Sequence, residues 1–551
     1  MKNLGHQVLS PSEDILHRLA PTLPAPHTCD IIDINPGTCL WSQKLHEVLQ
    51  PRRHVLVESQ PTNFSKYLSP LLDPPASRYR HAHTVQEALD REKGLLSAEI
   101  TQDQKSLDEL GRFNHSLLLT VNLAGSLAKS TGYEGVQSSF FFNDLYASLF
   151  GLRNNIHRYG LVRALVWLPD GEKDSYLPRT VSLRTKQSVI LEASSLIQEV
   201  AGSPSSQGAG IWARNRRFFD LDQENASAVA ATQAAAGIAT PEDRRDTPPA
   251  PPLPSIKPDP DTLRMRHFST DPPWVSEFLA VDEHLRTKDA EWYHTFRHRI
   301  QERRRPYQDT PERKLWRDLM TRARSVHHRY VKMVDLIQRQ REIDRQWRQI
   351  SIATTGSTAP SELIAKLKHD GEKLNEEIEK LSKDFRIFVR KSVDDYRAHD
   401  AHPPVLAWNR RKAEPWIVSA EEFVPSGRQL ALLDVVPRPE FPTLLDTQSK
   451  RICFDHVLRQ LSVHFGSSVH DALKIIVPAG LEEFIDTVPD LKNPAKGGWH
   501  DLTDFRLRCL PASLIIEVAL AFERWPFRPS VESMLMMTPD RNQEYEPGDN
   551  D

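Results

Sequence analysis

Apolar positions fall into two regimes along this chain. Up to about residue 200 they come as short runs: Ile31-Ile32 with Ile34, Val55-Leu56-Val57, Leu117-Leu118-Leu119 with Val121, and Ala164 to Leu168. Ser188-Val189-Ile190-Leu191 looks like one more. Short apolar runs bounded by turn residues predict buried strands. Between them Trp41, Leu45 and Val48, then Phe64, Tyr67, Leu68 and Leu71, recur at helical spacing, and Phe140 to Leu149 predicts an aromatic helix. Strands alternating with helices predict an α/β domain with a doubly wound sheet.

Beyond Gly202 the pattern changes. An Ala-rich run leads into Thr247-Pro248-Pro249-Ala250-Pro251-Pro252-Leu253-Pro254, a composition that builds no core and predicts a flexible linker. A highly charged stretch follows, interrupted at Thr354-Thr355-Gly356-Ser357. In it Leu363, Leu367, Leu374, Ile378 and Leu381 keep helical spacing behind the candidate N-cap Ser361, which predicts an αα-hairpin. Gln429 to Pro437 predicts a late strand. Phe454, Val457, Leu458 and Leu461 then open a helical region, and the chain closes on an acidic tail.

Composition narrows the function classes. A chain of 551 residues has room for two or three domains. No run approaches the roughly 18 apolar residues of a membrane span. The four cysteines are scattered without metal spacing, which suits a reducing interior, and the histidines, His327-His328 included, lack zinc spacing, so no metal is assigned. The net charge of -3 means that any attraction to nucleic acid must come from a local basic surface.

The first candidate chemistry lies at Asp33-Ile34-Asn35-Pro36-Gly37, a strand running through a turn into a helix. A second strand follows and ends in Glu58, about 20 residues on. That layout is a nucleoside-binding half of a doubly wound sheet, with the carboxylate placed to accept ribose hydroxyls. A solvated strand-end carboxylate explains Glu58 equally well.

Together with Lys2 to Leu9, this stretch resembles the ribosomal RNA adenine dimethylase superfamily, while Arg158-Tyr159-Gly160 leading to Val166-Trp167-Leu168-Pro169, and Trp525-Pro526-Phe527-Arg528-Pro529, resemble one branch of it. Its fungal mitochondrial branch, transcription factors of the mitochondrial transcription factor B type, is the nearer likeness. The resemblance implies a Rossmann-like methyltransferase fold over residues 1–204, completed by a return to the sheet at 405–446. The stretch between would be an insertion, made of an Ala/Pro-rich linker (205–288) and a charged helical hairpin (289–404). A helical domain (447–537) and an acidic tail (538–551) would follow.

It further implies S-adenosylmethionine contacts at Leu9, Asn35, Gly37, Glu58 and Asn122, with Asn122 the catalytic residue if the protein is active. The pattern is degraded in the substrate loop and in the cofactor loop, while Glu58 could still hold a ribose. Asn122-Leu123 stands where the dimethylases have Asn-Leu-Pro-aromatic, but Ala124 and Gly125 replace the proline and the ring. Of the loop glycines only Gly37 remains, so Asn35 and Cys39 are expected to crowd the cofactor and weaken or abolish its binding. Phe140, Phe141 or Phe142 offers a replacement ring, though core packing accounts for that stretch as well.

Arg158, Arg163, Arg179, Arg184 and Lys186 match basic residues of the fungal factors and are the candidate nucleic-acid groove; a solvated face is the alternative. The basic stretches Arg297 to Arg305 and Arg313 to Arg348 could grip rRNA or promoter DNA, or form a solvated hairpin with paired charges. Trp525 to Pro529 either packs the helical domain or contacts a polymerase. The function implied is mitochondrial transcription initiation in the matrix, with a single-subunit RNA polymerase and promoter DNA as partners. The alternative is an S-adenosylmethionine-dependent dimethyltransferase of the mitochondrial small-subunit rRNA. No presequence is evident; a targeting signal is expected to be absent, internal or missing from the sequence.

Overall fold

The computed structural model describes residues 7–8, 11–89, 102, 112–124, 136–152, 156–203, 217–246, 273–296, 310–353, 361–424 and 429–536. Eight strands form one mixed sheet: β1 (Asp30–Ile34), β2 (Arg53–Val57), β3 (Tyr79–Ala82), β4 (Phe113–Asn122), β5 (Leu161–Pro169), β6 (Ser195–Gly202), β7 (Trp416–Ile417) and β8 (Leu430–Pro437). Their order is β3-β2-β1-β4-β5-β8-β6-β7. The first five run parallel, and β8 is antiparallel to both its neighbours.

The central strands are buried on both faces, which is why they read as continuous apolar runs. β1 carries two exceptions, Asp30 and Asp33. Arg52 holds the first at 3.0 Å, and His54 Nε2 lies 3.4 Å from the second, so neither carboxylate is buried without a partner. One face of the sheet packs Ile32, Val55, Leu119 and Val121 against Phe142 and Leu145 of α2 (Val136–Ser148). The other packs Ile31 and Leu118 against Trp41 and Leu45 of α1 (Leu40–Leu49). Helices on both faces make the sheet doubly wound, and the strand order reverses between β1 and β4, which leaves a crevice at their carboxyl ends.

Ser188 to Leu191 is not a strand but part of α3 (Lys186–Ser194). A four-residue aliphatic run fits either element, and here the capping box of Thr185 and Ser188 starts a helix. The true strand is β6, whose polar Gln198 and Glu199 hid it; Glu199 is buried in salt bridges to Lys173 (2.7 Å) and Arg179 (3.2 Å).

β8 lies between β5 and β6, so the sheet is completed by residues that follow a long intervening stretch. Two compact units result. One comprises residues 1–205, 226–246 and 398–551; the other, 206–225 and 247–397. Residues 205–288, read as linker, contain α4 (Phe219–Ala235), where alanine favours helix, and α5 (Pro273–Lys288). The Pro-rich run itself lies outside the described residues. Instead of a hairpin the described residues of 289–404 hold a short helix, Ala290–Phe296, and three longer ones: α6 (Pro311–Ala353), α7 (Ser361–Glu379) and α8 (Lys383–His399). Within this unit Met333, Leu336 and Ile337 of α6 pack on Leu374, Ile378 and Val389.

The C-terminal region is helical, led by α9 (Gln448–Ser462), which Thr447 caps, and α10 (Ala512–Arg524). It is tied to the sheet by Tyr146, whose hydroxyl donates to Asp455 at 3.0 Å. Trp525 packs edge-on against Phe484, so the Trp-Pro-Phe motif closes this region while Phe527 stays 78% exposed.

Candidate functional site at the carboxyl ends of the sheet

The turn from β1 into α1 is Asn35-Pro36-Gly37-Thr38-Cys39. Every second residue sits in the left-handed region, with φ of 57° at Asn35, 56° at Gly37 and 61° at Cys39. A side chain there costs roughly 1–2 kcal/mol, least for asparagine, so the glycine-type backbone path persists with two of its positions carrying side chains. Two cross-links hold it. The Asn35 N–H donates to Val57 O (3.0 Å), and Asn35 Nδ2 donates to Asn122 O (3.2 Å). Cys39, expected to crowd the crevice, instead turns its side chain into a core of Leu56, Phe64 and Leu68, where burial pushes the thiol up to about 12.

Glu58, directly after β2, is not solvated. It is 6% exposed, its carboxylate accepts the Gln60 N–H at 3.0 Å, and burial raises its pKa. Asn122 ends β4 and its Oδ1 accepts the Ala124 N–H at 3.0 Å, which fixes the orientation of its side chain. Gly125, Ser126 and Leu9 lie outside the described residues. The structure therefore brings Asn35, Gly37 and Asn122 to one crevice, with Glu58 at the next strand end.

Two cavities meet at Val121 on this crevice. The first, lined by Asp33, Pro36, Ser42, Thr120 and Asn122, is about 10 Å³, room for about one water. Two tryptophans fill it. Trp41 Nε1 donates to Thr120 Oγ1 (2.9 Å), and its ring meets Trp167 edge-on at 5.4 Å. The second cavity is about 240 Å³, with walls of Val85, Leu123, Phe140, Phe141 and Ile156 and with Asn35 and Asp144 as its polar groups. The aromatic triplet is split: Phe142 is core against Tyr176 (4.2 Å), while Phe140, 46% exposed, sits at the rim. The tryptophans and this cleft went unrecognised in the sequence, although Trp167 lies in the Val166 to Pro169 motif.

S-adenosylmethionine is the cofactor that the resemblance implies. Pockets for small ligands start at about 300 Å³, and neither cavity among the described residues reaches that size. The loop backbone suits such a cofactor and the tryptophan-filled side does not.

The five basic residues do not form one groove. Arg163 forks onto Asp434 (2.8 and 2.7 Å) and donates to Thr22 O. Arg179 binds Glu199 and lies 4.2 Å from the Trp408 ring. Arg184 is buried against Glu192 and donates to the carbonyls of Arg508 and Leu510. Arg158 donates to Leu89 O, and burial lowers the pKa of Lys186 near Asp455. The first three are spent on carboxylates: Arg163 bridges two neighbouring strands, Arg179 ties its loop to β6, and Arg184 ties its loop to α3. Among the described residues there is no cluster of metal-ligating side chains, and no helix is long and apolar enough to cross a membrane.

No protein-family model matches the chain. Over 182 residues, 32% of this chain, it is 24% identical to a protein named mitochondrial transcription factor 1 from Lachancea kluyveri. The match spans about half of that relative, 48% of its length.

Proposed function

We propose that this chain is a mitochondrial transcription factor that acts in initiation, on a methyltransferase-type sheet, in the matrix. The observation that carries the reading is the likeness to mitochondrial transcription factor 1. The geometry supports its non-enzymatic half, since Trp41 and Trp167 occupy one side of the crevice. The chain joins a single-subunit RNA polymerase, and the open cleft at Phe140, Phe141 and Leu123 receives bases unstacked from the promoter. Opening duplex costs about 1.4 kcal/mol per stacked step, and stacking on an aromatic side chain returns about 1–3 kcal/mol per base.

Run-off transcription from a mitochondrial promoter tests this. The chain should be required on closed duplex and dispensable on a template melted beforehand across the start site. Equal initiation on closed duplex with and without it would overturn the reading.

A second reading, an adenine dimethyltransferase of small-subunit rRNA, is favoured by the base-sized cleft beside Asn35. Methyl transfer from S-adenosylmethionine into an rRNA hairpin, dependent on Asn122, would establish it.

A further inference from the structure

The helix α6 divides its cations into two groups. In its C-terminal half they are spent on carboxylates: Arg339 forks onto Glu377 (2.9 and 2.9 Å) and Arg341 onto Glu224 (2.7 and 2.9 Å). In its N-terminal half Arg313 is paired as well, with Asp289 at 2.6 Å, but others are not. Lys314, Arg324 and Lys332 are without a hydrogen-bonded carboxylate among the described residues, and Asp318 is the lone acid between Arg313 and Val334. Two more arginines there rest on rings instead, Arg322 5.1 Å from Trp274 and Arg329 5.7 Å from Phe385. A ring face orients a guanidinium while leaving its N–H edge open to oxygen acceptors.

We infer that this half of α6 is a docking face for the sugar-phosphate backbone of double-stranded nucleic acid, read without regard to sequence. Four of the five cations, Lys314, Arg322, Arg329 and Lys332, fall within about 80° of one another around the helix, while Arg324 lies outside that arc; from 314 to 332, at 1.5 Å per residue, the four make a strip about 27 Å long. That matches a backbone that presents a charge every few ångströms along a duplex. A single strand is the poorer match, because unpaired bases need free aromatic platforms, and Trp274 is buried under Arg322. The inference deepens the proposed function only in taking nucleic acid as the partner. It gives the inserted unit a task separate from the crevice: holding duplex.

The test uses the full chain and a fluorescent 30-base-pair duplex of arbitrary sequence, titrated from 50 to 200 mM salt. The variant combines Lys314→Gln, Arg329→Gln and Lys332→Gln. The control combines Lys366→Gln, Lys368→Gln and Lys373→Gln, an equal charge change on exposed positions of the acid-rich α7. Each lost phosphate contact should lower the slope of log affinity on log salt by about 0.9. The variant should thus lose about 2.7 from that slope, so that raising the salt weakens it about 40-fold less than the wild type, and the control should keep the wild-type slope. Equal slopes in all three proteins overturn the inference. So does weakened binding of a polyglutamate peptide with duplex binding untouched, which would mark a site for acidic protein. Run-off on closed promoter in the absence of competitor duplex reads the initiation role independently, so failure here and failure there are distinguishable.

Discussion

The two sides of the strand-end crevice share one loop and have opposite fates. On the α1 side Trp41 and Trp167 lock edge to face, Thr120 takes the indole N–H, and about 10 Å³ is left. On the α2 side the chain leaves a cleft of about 240 Å³ under a half-exposed Phe140. The backbone of Asn35 to Cys39 serves both, left-handed at alternate residues. The lesson is that a nucleoside-type loop is a property of the backbone, while what it can bind is decided by side chains from the neighbouring helix and strand.

The largest expected effect tests the closed side. Trp167→Ala removes a ring that is 1% exposed and should cost about 3–5 kcal/mol in denaturant unfolding, whereas Phe140→Ala should stay within about 0.5 kcal/mol. Comparable costs at the two positions would erase the distinction between a packed side and an open one. The open side is sharpened by the same Phe140→Ala variant, assayed for retention of unpaired promoter strand. If a base stacks there, it should bind more weakly by about 1–3 kcal/mol at unchanged stability.

A pH titration probes the support beneath the open side, next to Ile156. His157 is buried, its Nδ1 accepts the Val162 N–H at 3.1 Å, and burial holds its pKa down at about 3. The unfolded chain takes up this proton near pH 6.5 and the folded chain only near 3. Stability is therefore unaffected by this group above pH 6.5 and falls as the pH drops toward 3, by up to about 1.4 kcal/mol per pH unit. His157→Asn should flatten the pH dependence of the denaturation midpoint in that window by about one proton. An unchanged slope would mean that His157 is charged in the folded protein.

The smallest effect concerns the loop. Asn35→Gly should change stability by less than about 1 kcal/mol, since relief of the left-handed side chain is offset by loss of the bond to Asn122 O. Asn35→Val, β-branched at positive φ, should be clearly destabilised in the same unfolding assay.

Much of the sheet was legible because its strands are buried on both faces: β1, β2, β4, β5 and β8 announce themselves as aliphatic runs. β6 did not, because its Glu199 is neutralised by Lys173 and Arg179 from well upstream, a pairing that only the fold creates. The same cause hides the pairing of the basic residues. Arg163, Arg179 and Arg184 read as free cations in sequence, yet their carboxylates are Asp434, Glu199 and Glu192. Asn35, Gly37, Glu58 and Asn122 were found because the turn and the strand ends fix them locally. The filling of the crevice escaped because Trp41 and Trp167 meet across more than a hundred residues of chain.

Opening of a closed promoter is what the proposed function requires of this chain. With 2-aminopurine placed at the start site of a closed mitochondrial promoter, fluorescence should rise only when polymerase and this chain are both present. A full rise with polymerase alone would contradict it.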